Sequence, residues 1–497
     1  MKNLFIILCL VPLISHGQQA AIHFDIKNST GKNIEISLQE NYSNPVVLFG
    51  ELYINILLTQ GKTEWIYKIS KPASVKVYYE SKDSKKTFEY HFYLSPGDDL
   101  QFFADENNLP NSIVVKGEGS ENNRTMIQSL HNNFIQNLYD IYEKDTLPYR
   151  IFKAIKEKDA LNRKTLKDYI LTYHPTKDFI KNESLYVQYF LISQYIIFKG
   201  NHKFGIRQAF LRNEEKWQDI EDSLIKVNPI NNDEVLNVSD FGYFLYQYLL
   251  RTKERLWQHP ELMRQYYETE NDKKLMTYDP ENLLKEKIIN NYFSGKTAEY
   301  LYALIIKEST HGMEDNLFEI FVRFKKIYPH SIYTLFIEPL ITKIEERRKR
   351  KLTDKMIFIK NTDSLQTFDD VLKLMKGKTV LLDMWGTWCS PCRNELLKNS
   401  DSIKTYFENK ALDFLYIANY DIDRETKWKE LISYYNLTGN HILANQRLTN
   451  DIINKVKVSG YPTYVIIKKD GTFELSEAGY PMKREILYKQ IDKILNY

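Results

Sequence analysis

Cysteine is scarce in this sequence, which has three cysteines in 497 residues. Cys9 lies in the apolar N-terminal run, so only Cys389 and Cys392 remain in the rest of the chain. A single close pair excludes the disulfide framework that holds small secreted domains together. The pair closes too short a loop to stabilise the fold much, so a purely structural disulfide is the weaker interpretation. We therefore expect a reversible dithiol.

Histidine is also sparse, and no group of potential ligands with metal spacing accompanies the cysteine pair. A zinc site would need two more ligands near the pair, and the nearest histidine downstream is the lone His441. No motif in the sequence calls for a nucleotide. We expect neither a metal nor another cofactor.

The sequence has no large excess of charge of either sign, since the formal net charge is only +3. Basic and acidic residues alternate along most of the chain, so nucleic acid is not an expected partner. The basic cluster at Glu345–Lys351 is expected to be a solvated helix end or linker. After the N-terminus, the longest apolar stretch, Tyr189–Phe198, falls short of the roughly 20 residues that span a bilayer. We predict no stable membrane insertion of the mature protein.

The N-terminus has the order of features found in a secretory signal peptide. Lys2 precedes the apolar run Leu4–Ile14, and small residues Ser15 and Gly17 follow it. The run is too short for a membrane anchor, which is the weaker interpretation. We predict that residues 1–17 are a cleaved signal peptide and that the protein is exported.

Length predicts roughly three domains of about 150 residues each. Residues 18–117 contain short alternating runs, such as IHFDI and ASVKVYY, between turn residues, which predicts a β-sandwich. Residues 118–352 have apolar positions at helical spacing and predict an all-α segment without a fixed repeat. Residues 353–497 alternate buried strands with helices and predict an α/β domain.

Two separated motifs in the last segment resemble the thioredoxin superfamily. They are GKTVLLDMWGTWCSPCRNE, which has the cysteine pair at a strand-to-helix junction, and VSGYPTYVIIKKDGT, which has a proline before the next strand. More narrowly, residues 355–497 look like the exported TlpA- and ResA-like thiol-disulfide oxidoreductases. The upstream arrangement, ending its strands in YLSPGDDLQFFADE, is similar to longer multi-domain members found in Bacteroidota. The resemblance implies a periplasmic location, disulfide-bearing protein substrates and a membrane electron donor.

The chemistry of the pair follows from its place at the start of a helix. Unpaired N–H groups and the positive end of the helix dipole favour a thiolate at Cys389, which we expect to be exposed and to attack first. Cys392, one turn further in, is expected to attack the resulting mixed disulfide and release the reduced partner.

Two acids are candidates for moving the proton of Cys392. Asp383 lies on the apolar strand before the pair, where burial would raise its pKa and suit it to proton exchange. An acid facing water at a strand edge is the alternative. Glu395 lies one helical turn after Cys392 and is either a second proton acceptor or an ordinary helix-surface acid. Thioredoxins carry an acid where Asp383 stands, and ResA-like proteins carry one where Glu395 stands.

Residues around the pair are expected to hold the substrate. The resemblance makes Pro462 the family's cis-proline, beside the dithiol, which leaves the backbone of Tyr461 free to pair with an extended substrate. An ordinary trans proline in a loop is the alternative. Trp388 is expected to border the thiol surface and Trp385 to lie in the core.

Two classes of function remain open at this stage. The first is an exported protein-disulfide reductase acting through Cys389 and Cys392. The second is a binding or scaffold protein whose dithiol only senses redox state. The full set of motifs favours the enzyme, because a scaffold needs neither the proton acceptor nor the proline.

Overall fold

The computed structural model of the protein describes residues 19–31, 33–38, 53–81, 87–131, 134–144, 147–202, 212–238, 241–259, 280–309 and 316–496. The predicted signal peptide lies outside these residues. The chain divides into two compact units. The first contains Met1–Lys273, Leu283–Ile305 and Ser331–Tyr333, and the second contains Lys274–Asn282, Ile306–His330 and Thr334–Tyr497. The predicted domain boundaries after residues 117 and 352 stay predictions.

The first unit begins with two four-stranded sheets. Their strands are β1 (Gln19–Lys27), β2 (Asn33–Leu38), β3 (Tyr53–Leu57), β4 (Lys62–Lys68), β5 (Ala73–Glu80), β6 (Thr87–Leu94), β7 (Asp99–Asp105) and β8 (Val114–Glu118). The sheet orders are β4-β1-β7-β8 and β3-β2-β5-β6. Ile22 and Phe24 of one sheet share a hydrophobic core with Ile36 and Val77 of the other. The prediction of a strand-rich N-terminal region is confirmed.

Helices follow the strands. They are α1 (Gln128–His131), α2 (Ile135–Lys144), α3 (Pro148–Tyr173), α4 (Lys177–His202), α5 (Glu214–Val227), α6 (Phe241–Gln258), α7 (Pro280–Tyr292), α8 (Gly295–Ser309), α9 (Leu317–Ile327) and α10 (Thr334–Arg348). The predicted helical centre is confirmed, and the basic cluster begins at the end of α10, as expected. Of the helices in the described segments, none is both long and apolar enough to cross a bilayer.

The C-terminal region is built on one six-stranded sheet. Its strands are β9 (Met356–Phe358), β10 (Thr379–Trp385), β11 (Leu412–Ala418), β12 (Gly439–Leu443), β13 (Thr463–Ile467) and β14 (Phe473–Leu475). The sheet order is β14-β13-β10-β11-β12-β9. Strands β10, β11, β12 and β9 are mutually parallel, whereas β13 and β14 pair antiparallel. All four parallel strands therefore end at the same edge of the sheet.

Helices complete the α/β region that the sequence predicts. They are α11 (Phe368–Leu374), α12 (Ser390–Phe407), α13 (Glu425–Tyr434), α14 (Gln446–Val456) and α15 (Arg484–Leu495). Every residue of β10 is buried, which suits a central strand. Successive side chains of a strand point to opposite faces. Val380, Leu382 and Met384 accordingly pack with residues of α11 and α14, whereas Leu381 and Trp385 pack with residues of α12. Asp383 belongs to the same face of β10 as Trp385.

Candidate active site

The cysteine pair lies at the N-terminus of α12, directly after the loop that follows β10. Cys389 is the N-cap residue of the helix, and its Sγ accepts a hydrogen bond from the backbone N–H of Cys392 at 3.1 Å. The two cysteines form a disulfide, with their Cα atoms 5.3 Å apart. Pro391 occupies the first turn, where its missing N–H costs no hydrogen bond. The free N–H groups and the helix dipole at this end stabilise a thiolate once the disulfide is reduced.

Both sulfurs are buried in this oxidised state. Cys389 is 3% exposed and Cys392 is fully buried, so the prediction that Cys389 lies at an exposed position is wrong here. The disulfide holds the Cys389 sulfur against the helix, inside an apolar cluster that also contains Trp385 and Leu396. Tyr461 packs against the same cluster. The local sequence could not show this packing around the cysteines, because Tyr461 lies far along the chain from the pair.

Trp388 precedes Cys389 in the sequence, and Tyr461 packs against the apolar cluster that contains both cysteines. The Trp388 side chain is 43% exposed, whereas Trp385 is fully buried, which matches the places expected for both. The ring of Trp388 contacts that of Tyr461 edge to face, with centroids 5.4 Å apart. The peptide bond between Tyr461 and Pro462 is cis, so the trans alternative does not hold.

Two polar residues that the sequence analysis did not single out fix the loop before Cys389. Asp421 is fully buried and accepts hydrogen bonds from Thr387, one from the backbone N–H at 2.6 Å and one from Oγ1 at 2.7 Å. The carbonyl oxygen of Asn419 accepts a hydrogen bond from Trp388 Nε1 at 2.9 Å. Both residues lie in the segment that follows β11. Their position could have been noticed in the sequence, because they are polar residues at the carboxyl end of a buried parallel strand, where α/β folds place their sites.

Asp383 and Glu395 are both buried, each with 5% exposure. Burial raises the pKa of Asp383 to about 8, and the negative charge of Glu395 adds to the increase. Oδ1 of Asp383 has no hydrogen-bond partner. Glu395 accepts hydrogen bonds from the side chain of Asn399 and from the backbone N–H of Met482. Neither acid faces water, so the strand-edge interpretation of Asp383 and the helix-surface interpretation of Glu395 are both excluded.

A small cavity of about 20 Å³ connects these acids. This volume is enough for one water molecule. Its polar lining comes from β10, α12 and the neighbouring strands, and consists of Asp383, Glu395, Asn399, Ser400, Tyr416 and Tyr464. The cavity gives the two carboxyl groups a shared polar space against the central turns of α12.

In the part of the chain that the structure describes, no group of three or more His, Cys, Asp or Glu side chains is arranged to hold a metal ion. His441 is fully buried, and its Nε2 lies 2.7 Å from the carbonyl oxygen of Leu437. Burial lowers the pKa of His441 to about 4. The histidine is therefore a neutral core residue on β12.

Comparison with known proteins identifies the domain that carries the pair. Residues 377–473 match the family model described as thioredoxin-like. The chain is 28% identical over 114 residues to the thioredoxin-like protein YneN of Bacillus subtilis, covering 23% of this chain and 64% of that protein. It is 35% identical over 101 residues to a thiol-disulfide oxidoreductase ResA of Bacillus cereus, covering 20% of this chain and 54% of that protein.

The thioredoxin domain of a thiol-disulfide oxidoreductase from Bacteroides vulgatus aligns over 25% of this chain and 84% of its own length, with 24% identity and a TM-score of 0.22. The chain thus spans between about half and two thirds of the curated relatives described above. The family model covers residues 377–473, which include both cysteines, and the two curated relatives match 23% and 20% of this chain.

Proposed function

We propose that this chain is an exported thiol-disulfide oxidoreductase of the thioredoxin superfamily that reduces disulfides in protein substrates. One observation carries the proposal: Cys389 is the N-cap of a helix on which Glu395 lines the same small cavity as Asp383, a buried acid of raised pKa. A disulfide that served only stability would need no acid of this kind. The proposed N-terminal signal peptide would deliver the protein to the periplasm.

The first step of the proposed reaction is attack by the Cys389 thiolate on a substrate disulfide. A bond forms between Cys389 Sγ and one substrate sulfur, the substrate S–S bond breaks, and the other substrate sulfur leaves as a thiolate that takes a proton from water. The helix N-terminus favours the attacking thiolate. The product of this step is a mixed disulfide between the two proteins.

The second step is attack by Cys392 on that mixed disulfide. The Cys392 thiol loses its proton, bonds to Cys389 Sγ and expels the substrate sulfur as a thiolate, which is then protonated. The dithiol has given up two electrons and the substrate disulfide has gained them. Cys392 is fully buried, so its proton needs an acceptor within the protein.

We assign that acceptor role to Asp383. Its pKa near 8 lies close to physiological pH, where a general base works best. The cavity that Asp383 lines has room for one water molecule. Such a water is suited to carry the proton of Cys392 to the Asp383 carboxylate if the two side chains do not touch. Glu395 lines the same cavity and acts mainly through its charge, since it raises the pKa of Asp383.

Substrate is proposed to lie across Trp388 and the Tyr461–Pro462 segment. The exposed ring of Trp388 offers an apolar surface next to Cys389, and the backbone at Tyr461 is proposed to pair with an extended substrate chain. Recharging of the oxidised pair would fall to an electron donor in the membrane.

Reduction of insulin by the full-length protein tests the proposal. Dithiothreitol serves as the electron source. The wild-type protein should precipitate the insulin B chain faster than dithiothreitol alone, because Cys389 attacks the insulin disulfide and Cys392 then releases the reduced chain within the same molecule. A Cys9→Ser variant should match the wild type, and Cys389→Ser should return to the dithiothreitol background. Equal rates for wild type and Cys389→Ser would leave only the sensor function.

A further inference from the structure

A groove lies at the same edge of the sheet as the dithiol. It has a volume of about 280 Å³ and is formed where β9 and β12 end and α13 begins. Its apolar lining is Phe358, Ile359, Ile422, Trp428 and Leu443, and polar side chains, Asp363 among them, complete it. We call it the β9–α13 groove. Because β9, β12, β11 and β10 are parallel, the groove and Cys389 share the carboxyl edge of the sheet, where α/β folds bind their ligands.

The floor of the β9–α13 groove is rigid and apolar. The rings of Phe358 and Trp428 meet edge to face, with centroids 5.2 Å apart, and Trp428 is 3% exposed. Behind them, the neutral ring of His441 packs 5.5 Å from that of Phe358. A floor of packed rings offers a preformed surface for a large apolar side chain.

Exposed apolar side chains connect the groove to the dithiol. Trp388, next to Cys389, is 43% exposed, and its ring centroid is 6.1 Å from that of Tyr420. Tyr420 is 47% exposed and Ile422, on the wall of the groove, is 53% exposed. All three are held by the segment after β11, through the Trp388–Asn419 hydrogen bond and the buried side chain of Asp421. Contiguous apolar side chains that stay exposed to water mark an interaction surface.

The charges at the mouth of the groove come from Asp363, Glu425 and Lys429 and leave no open site for an anion. Glu425 and Lys429 neutralise each other across 2.6 Å, and Lys429 also lies over the Phe358 ring at 5.6 Å. The ammonium group is therefore engaged and gives no open anion site. An uncharged apolar side chain enters such a groove at little electrostatic cost.

We infer that the β9–α13 groove binds a large apolar side chain of the substrate polypeptide, located a few residues from the substrate cysteine that bonds to Cys389. The inference rests on the proposed oxidoreductase function and adds a specificity site to it. The exposed apolar side chains of Trp388, which precedes Cys389, and of Tyr420 and Ile422 are what assign the groove to the substrate of the dithiol.

Peptide substrates test the inference. Short peptides with one cysteine, joined by a disulfide to glutathione, would carry leucine at successive positions on either side of that cysteine, each with a serine counterpart. The reduced wild-type protein should prefer one leucine position by about 5- to 20-fold in kcat/KM, as expected for partial burial of one apolar side chain. Ile422→Ser should abolish this preference.

A matched control is available in Ile357, which is 51% exposed on β9 but points to the face opposite Phe358. Ile357→Ser should keep the leucine preference. No positional preference in the wild type, or a preference retained in Ile422→Ser, would overturn the inference. Self-association that Ile422→Ser removes would assign the groove to a second copy of the chain instead. Failure of the wild type to reduce oxidised glutathione contradicts the proposed function and not the groove.

Discussion

Cys392→Ser should accumulate a stable mixed disulfide between Cys389 and a protein substrate, whereas Cys389→Ser should form none. Without Cys392 the first step still occurs, but no second thiol is present to release the substrate. Without Cys389 no covalent intermediate forms, and turnover should fall by at least about 10³-fold. Non-reducing electrophoresis after incubation with insulin, followed by mass spectrometry of the adduct, measures both outcomes.

Both variants are best made together with Cys9→Ser, so that the pair supplies the only thiols in the chain. The double variant Cys389→Ser and Cys392→Ser is then a protein without reactive sulfur and sets the background. An adduct in Cys389→Ser and none in Cys392→Ser would reverse the assigned roles. This outcome is a real alternative, because both sulfurs are nearly inaccessible in the oxidised state.

Asp383→Asn should slow release of the mixed disulfide while leaving the first attack unchanged. The amide has the shape of the carboxylic acid but cannot accept the proton of Cys392, and the help of a general base is typically worth about 10² to 10⁴ in rate. With a pKa near 8, Asp383 is mostly protonated at neutral pH and gains base character as the pH rises. The wild-type release rate should therefore increase up to about pH 8 and then level, and the variant should lose this rise. Rapid-mixing kinetics across pH resolve the two steps.

The control for this experiment is an exposed acid on the same helix. Asp401 lies on α12 with its side chain in water, and Asp401→Asn should behave as the wild type. Glu395→Gln is not a neutral control, because the Glu395 carboxylate raises the pKa of Asp383. That variant should move the rise in release rate to lower pH. Equal release rates for wild type and Asp383→Asn would make Asp383 a structural residue, and a larger loss in Glu395→Gln would transfer the base role to Glu395.

Local sequence was sufficient for those parts of the site that lie within one element or at one junction. The run before Asp383 predicts a buried strand, and the cysteines with Pro391 predict the start of a helix. Periodicity places Glu395 one turn after Cys392, but its burial depends on contacts with Met482, which comes from a distant part of the chain.

The remaining features also depend on contacts distant in sequence. Asp421 holds Thr387 across 34 positions, and no local pattern encodes which polar residue after β11 will do so. The β9–α13 groove requires that β9, β12 and the start of α13 meet at one edge of the sheet, which follows from topology alone. Burial of Cys389 depends in the same way on Tyr461 and on the packing of α12.

The surroundings of the pair also bear on the direction of electron flow. In a strongly oxidising dithiol, one thiol has a very low pKa. That thiol is ionised in the reduced form, and the ionisation stabilises the reduced form. Here Cys389 lies in an apolar cluster with Trp385 and Leu396. Apolar surroundings disfavour a charged thiolate. We therefore expect a reducing pair.

The equilibrium potential of the Cys389–Cys392 pair tests this account most directly. The full-length Cys9→Ser protein would be equilibrated in glutathione buffers of graded composition, and the oxidised fraction would be read from the mass added by a thiol-alkylating reagent. A reductase should give a potential in the lower part of the superfamily range, between about −270 and −220 mV. A value near −120 mV, at the strongly oxidising end, would contradict the reductase function.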